Sequence, residues 1–348
     1  MDFNNNPQID AILKHISNSK RKLSKIDLKC LSVNGKCLKE PMSDYLARKA
    51  IQSTNIKECS YSPKAFWESY NNSNNVDQTP AMELGTFVHS AILEPDLFRK
   101  FVVKPYYDLR KLEGLKDSIR FYNRLEAFSF DLSGIEDKGR DELRQLNLML
   151  EERNKIYVID EDYRDKIHKI ETNLKEYQNG LIPELLRGAL TEVTMYCVDP
   201  ITGLPVKIRT DAFNIAENIG VDAIISVKTT STKNFSEFIS QSISLQYELS
   251  EAFYQDIASH ITGRNFTTTI MIIAQTIAPY HVYVSVWEDT AIQFGRENYQ
   301  YNLAIIKECF DNGHFPAMEA KAPLDNGGFF QLGYPDKVLA RQEEYINI

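Results

Sequence analysis

The chain has 348 residues, 43% hydrophobic and 25% charged, a composition that supports a sizeable core. Its net charge of −8 argues against indiscriminate coating of nucleic acid while leaving room for a local basic groove. No apolar run approaches the ~20 residues of a membrane-spanning helix, and the N-terminus lacks the pattern of a secretory signal.

Cys30, Cys37, Cys59, Cys197 and Cys309 are scattered, with no Cys-x-x-Cys, and fit reduced thiols in a cytosolic compartment.

Helical spacing runs from Gln8 to about Leu28, and Cys30 to Pro41 reads as a turn around Gly35. The basic cluster Lys20-Arg21-Lys22-Leu23-Ser24-Lys25 fits a solvated face as well as a phosphate contact. Ser62-Pro63 predicts a helix start, with Ser62 as N-cap and Pro63 in the first helical position. Asn71 to Asn75 is a polar loop, after which Thr79-Pro80 opens a helix with Leu84, Phe87, Val88, Ala91 and Ile92 on one face.

Tyr107 to Gln178 is charged and helix-prone, with strand character only around Tyr157-Val158-Ile159. It is expected to pack beside the core as a helical insertion. From Thr191 the pattern changes to strands at 191–198, 206–212 and 223–228. A long amphipathic helix over 235–260 follows, closed by Gly263, then strands at 268–274 and 281–287. A last helix over 290–312 ends at Gly313. The fold class is therefore a mixed α/β (α+β) sheet core with N-terminal and inserted helices. Gly327-Gly328 is a lone turn, so no glycine-rich phosphate loop points to nucleotide triphosphates.

The chemistry gathers around Arg209-Thr210-Asp211 and Ser226-Val227-Lys228. Metal-assisted phosphodiester hydrolysis needs hard oxygen ligands and a group that orients water. Side chains two apart on a strand share a face and lie about 7 Å apart along it, so Ser226 and Lys228 point into one site. Asp211 could face them across the ladder, the Val227 carbonyl could reach a metal, and Glu192 could add a carboxylate. An ordinary sheet-edge ion pair between Asp211 and Lys228 accounts for the same residues at ~0–1 kcal/mol.

Further blocks carry a resemblance. Ser62-Pro63-Lys64-Ala65-Phe66, the Gly85-Thr86-Phe87-Val88-His89-Ser90-Ala91-Ile92-Leu93-Glu94-Pro95 run, Thr191-Glu192-Val193, Lys207 to Asp211, Val227 to Thr230 and Tyr247 to Tyr254 occur in order. Together they resemble the exonuclease VIII (RecE-type) branch of the PD-(D/E)XK nucleases, relatives of the lambda phage exonuclease, over about Ser60 to Met318.

The resemblance implies a restriction-endonuclease-like core. Its divisions would be an N-terminal helical extension at 1–60, a nuclease domain at 61–320 and a tail at 321–348. Within the domain, 107–190 would be the helical insertion and 191–290 the sheet core.

It also implies roles. His89, Asp211 and Lys228 would be catalytic; Glu192, Asp211 and the Val227 carbonyl would hold Mg²⁺ or Mn²⁺; Arg209, Tyr247 and Ser250 would meet substrate. Two positions depart from the family. Ser226 replaces the expected metal-binding acid, and Ser250 replaces a glutamine. A serine hydroxyl is a poorer ligand and removes a negative charge. Glu248 and Glu251 on the following helix, or Asp222 on the same strand, are candidate replacements for the acid. Gln246 is the candidate for the amide.

The expected function is a metal-dependent exonuclease of phage recombination type acting on linear duplex DNA ends, in the cytoplasm of a bacterial host. A ring-like homo-oligomer and a single-strand annealing partner are implied by the resemblance. The alternative is the same fold kept as a DNA-end-binding or protein-interaction module. No membrane role is expected.

Overall fold

Six strands form one sheet in the order β1-β4-β5-β6-β7-β8. They are β1 (Lys36–Leu38), β4 (Leu190–Val198), β5 (Pro205–Asn214), β6 (Ala223–Thr230), β7 (Thr268–Gln275) and β8 (Val282–Val286). A separate parallel pair consists of β2 (Val102–Lys104) and β3 (Val158–Asp160). The computed structural model describes residues 6–18, 21–72, 79–125, 131–154 and 158–317. Lys20, Ser73 to Asn75, Tyr157, Gly327-Gly328 and the 321–348 tail named above lie outside them.

Only β6 and β7 run parallel; every other neighbouring pair in the large sheet is antiparallel. A parallel pair needs a crossover, supplied here by the helices Phe235–Ser244 and Tyr247–Thr262. All eight residues of β7 are buried, which explains why it reads as an almost continuous apolar run.

The sheet has a helical layer on each face. One face meets the helices Ser53–Tyr61, Tyr247–Thr262 and Asp289–Asn312 around Val193, Ile208, Ile224, Phe253 and Ile306. The other meets Pro80–Leu93 and Glu161–Glu176 around Phe87, Val88, Ile170, Ile225 and Val227. The helices Leu112–Leu125 and Arg140–Asn154 enclose their own cluster of Leu115, Ile119, Tyr122 and Leu143.

Local signals set several ends. Ser62 accepts from the Ala65 N–H, as expected of its N-cap, and Thr79 caps the next helix by accepting from the Met82 N–H. Gly263 and Gly313 close their helices with φ of 66° and 64°, a backbone that glycine adopts without penalty.

Three expectations are corrected. The first helix stops at Ile16, and the stretch beyond it leads to Ser24, whose N–H donates to Asn218 across the bottom of the sheet. The Cys30–Pro41 segment holds the three-residue strand β1, paired with β4. Third, the single helix over 235–260 is two, broken at Gln246, whose φ is 49°.

That break re-aims the second helix, which then runs buried beneath the sheet. It passes close under the last helix, where a Cβ on Gly295 would stand 2.3 Å from the Glu248 carbonyl oxygen. Gly295→Ala is therefore expected to destabilise by about 1–3 kcal/mol through overpacking, reversing the ~1 kcal/mol gain alanine brings to an open helix. Urea denaturation measures it. Among the described residues, no helix is long and apolar enough to cross a membrane.

Candidate metal centre

β5 and β6 pair from Asn214↔Ala223 to Ala212↔Ile225 and then part. Where the ladder ends, Asp211 Oδ2 accepts from the Val227 N–H at 2.7 Å, so a carboxylate takes the place of a strand carbonyl. The opening of this fork is the site. Asp211 is held there by a backbone donor, and its other oxygen lies on the side of His89.

Glu192 stands across from Asp211, because Thr191 pairs with Ala212 and Val193 with Thr210. Its φ is 52°, a left-handed conformation in the middle of a strand. Such a backbone costs about 1–3 kcal/mol in a residue with a side chain. The register is unbroken, yet Leu190, Val193 and Met195 all pack on the same core face, which a plain two-residue alternation forbids. The twist turns the Glu192 carboxylate towards Asp211. Arg209 holds it there, its Nε donating to Glu192 Oε2 at 2.8 Å. Nη1 of that guanidinium reaches the Glu40 carbonyl and Thr194 Oγ1, so Arg209 supports Glu192 from the β1 side of the sheet.

His89 comes from the Pro80–Leu93 helix on the opposite layer. Gly85, one turn earlier, lets that helix lie close to β6: a Cβ there would be 3.0 Å from Thr229 Oγ1. His89 Nδ1 lies 4.0 Å from Asp211 Oδ1, and the ring meets the Val227 carbonyl. Burial pushes its pKa below the ordinary histidine value, against the pull of Asp211. Burial thus favours the neutral imidazole, which keeps a lone pair.

One donor atom each from His89, Glu192 and Asp211 lies within 4.8 Å of the other two. Two carboxylates and a neutral imidazole, with a carbonyl beside them, fit a divalent cation. Burial raises the Glu192 pKa against the pull of Arg209, with Asp211 adding to the rise. Protons therefore compete for this donor above the usual carboxylate range of about 4.3. Mn²⁺ affinity measured by calorimetry is expected to weaken as pH falls, beginning above the range in which an ordinary carboxylate titrates.

On β6 the missing acid is answered from another element. Ser226 is 1% exposed, and its Oγ donates to Glu251 Oε2 at 2.8 Å. Glu251, also 1% exposed, comes from the Tyr247–Thr262 helix. A carboxylate thus lies at the serine's position without being part of the strand. Burial raises its pKa, opposed chiefly by the Lys228 charge and the Ser226 hydrogen bond.

Lys228 Nζ is 3.8 Å from Asp211 Oδ2 and 5.5 Å from the centroid of the Tyr247 ring. Burial works against its charge, but Asp211 and Glu251 outweigh it and hold the ammonium protonated, above the usual lysine range.

The site therefore unites His89, Glu192, Asp211, Ser226, Val227, Lys228, Tyr247 and Glu251. Two of the expected replacements, Asp222 and Gln246, are engaged elsewhere. Asp222 sits at the far end of β6, bonded to Arg264 and the Ala216 N–H. Gln246 precedes the helix instead of sharing its face, and its Oε1 accepts from Ser60. Glu248 is buried one turn before Glu251, with Oε2 lacking a hydrogen-bond partner among the described residues. Ser250 is buried on the same helix.

Two groups escaped the sequence reading. Tyr254 lies near Lys228, Glu251 and Asp211, its pKa pushed up to about 12 mainly by burial. Lys57, from the Ser53–Tyr61 helix, has its pKa lowered to about 8 by burial and then by Lys228, with Glu251 and Glu248 opposing. The Lys57 position carries no local motif.

The forked sheet with an acid at the fork and a lysine on the next strand defines a PD-(D/E)XK-like protein. The chain belongs to the family described as PDDEXK-like domain of unknown function (DUF3799), whose model matches residues 52–323. No curated protein matches it in sequence. Two solved structures are similar at low identity. A provisionally named exonuclease from Eubacterium rectale is 12% identical with a TM-score of 0.48, covering 86% of this chain and 96% of that one. A protein named SSO0001 is 16% identical with a TM-score of 0.23, covering 62% of this chain and 84% of that one.

Proposed function

We propose that this protein is a metal-dependent DNA exonuclease of the exonuclease VIII (RecE) type, degrading linear duplex DNA from its ends. The observation that carries this reading is the hydrogen bond from Ser226 to Glu251, which brings a carboxylate to the position where the strand has lost one. The family match and the ordered sequence blocks support the nuclease class. A bacterial cytoplasmic setting, a homo-oligomer and a single-strand annealing partner come from the resemblance alone.

His89, Glu192, Asp211 and the Val227 carbonyl would hold Mg²⁺ or Mn²⁺, which when bound polarises the phosphate and activates water. Hydrolysis joins the water oxygen to phosphorus, breaks the bond from phosphorus to the leaving sugar oxygen, and delivers a proton to that oxygen. Asp211 and Glu251 favour the charged form of Lys228, so the role proposed for it is to orient water and neutralise charge on the phosphate. Glu251 keeps that ammonium aimed into the fork. Arg209 keeps Glu192 turned towards the metal.

The test is degradation of end-labelled linear duplex DNA beside a closed circle of the same sequence, with Mn²⁺ or Mg²⁺. Loss of the linear form alone supports the reading. Cutting of the circle makes the protein an endonuclease.

A binding module is the second reading. Its support is that Ser250 replaces the family's glutamine while Gln246 is engaged by Ser60. Tight binding of DNA ends with no cleavage in either metal decides for it.

A further inference from the structure

We propose that Lys57 is a second phosphate-holding residue, binding the DNA strand one phosphate away from the one at Lys228. The proposal rests on the nuclease reading above and adds to it a residue outside the sequence motifs.

Lys57 Nζ lies 5.3 Å from the centroid of the Tyr247 ring, and Lys228 Nζ lies 5.5 Å from the same centroid. Two ammonium groups therefore share one aromatic ring. Lys228 has Asp211 at 3.8 Å. Lys57 has no carboxylate in ion-pair contact among the described residues; its hydrogen bond goes to the Leu245 carbonyl at 2.7 Å. That leaves donors on a partly exposed ammonium at the edge of the fork.

A plain structural role is available, since Leu245 is the C-cap of the Phe235–Ser244 helix and a cation suits that end. Capping accounts for the one hydrogen bond. It does not account for bringing a second positive charge beside Lys228, where burial and repulsion between the two outweigh the pull of Glu251 and Glu248. A bound anion between or along them removes that repulsion. Successive phosphates of one strand are such anions.

The experiment measures binding of a fluorescein-labelled duplex with a single-stranded end, in EDTA so that nothing is cut, across a range of KCl concentrations. The unaltered protein, Lys57→Gln and Lys57→Arg are compared. Lys57→Gln is expected to bind several-fold more weakly at low salt, with the slope of log affinity against log salt shallower by about 0.7–0.9, one phosphate contact. Lys57→Arg is expected to keep the slope. A lost cap lowers the unfolding temperature and leaves the slope alone, and that result overturns the proposal.

If Lys57→Gln does not fold, Lys57→Met, which keeps the stem over Tyr247, makes the same comparison. An unchanged slope in a protein that still degrades DNA removes the Lys57 assignment only. Failure of the unaltered protein both to bind and to cut removes the nuclease reading with it.

Discussion

Lys228→Ala is expected to lower the single-turnover rate of DNA degradation by about 10²–10³-fold, the usual consequence of removing a preorganised charge from a developing phosphate. The affinity for DNA measured in EDTA falls far less, because one phosphate contact contributes only a small part of the total. The structural reason is the double hold on the ammonium. Asp211 is 3.8 Å away, and the Glu251 charge also favours the ammonium.

Removing the lysine leaves two like charges that already act on each other, and Glu251, whose pKa burial already raises, takes up a proton. The fold therefore survives the substitution, as circular dichroism should show. A variant that degrades DNA at the unaltered rate contradicts the role given to Lys228.

Ser226→Asp is the second large effect, and its expected direction is against first intuition. Restoring the acid that the sequence pattern lacks should harm the protein. The new carboxylate would stand where Ser226 now donates to Glu251 at 2.8 Å, placing two buried carboxylates in contact. The cost is about 3 kcal/mol, paralleling other uncompensated buried charges, or one of the pair becomes protonated.

Ser226→Asp combined with Glu251→Gln should recover stability and activity together, since the amide can donate to the new carboxylate. Urea denaturation and the degradation assay on both single variants and the double variant give the coupling. Simple additivity would mean that Ser226 and Glu251 do not act as a pair.

How much was legible beforehand follows the range of the interactions. Ser62 and Thr79 cap their helices by bonds three residues long, and the alternation in β6 decides which side chains share its face, so those features were readable. The same holds for Asp211 opposite the Ser226-Val227-Lys228 strand. What was not readable depends on distant packing. β1 is three residues long and exists because β4, more than 150 residues later, pairs with it.

The break at Gln246 has neither glycine nor proline to announce it, and without that break the contact between Ser226 and Glu251 could be listed only among several alternatives. Asp222 stood on the correct face of the same strand, but its partner Arg264 lies at the other end of the sheet. The left-handed backbone of Glu192 likewise leaves no mark in residue type. It is visible only as a strained position within an unbroken register.

Diffraction at the manganese absorption edge, from crystals equilibrated with Mn²⁺, tests most directly whether the metal centre survives the serine at 226. The expected result is an anomalous peak bounded by His89, Glu192 and Asp211, with Glu251 still bonded to Ser226. Saturating Mn²⁺ with no peak at that place would contradict the account.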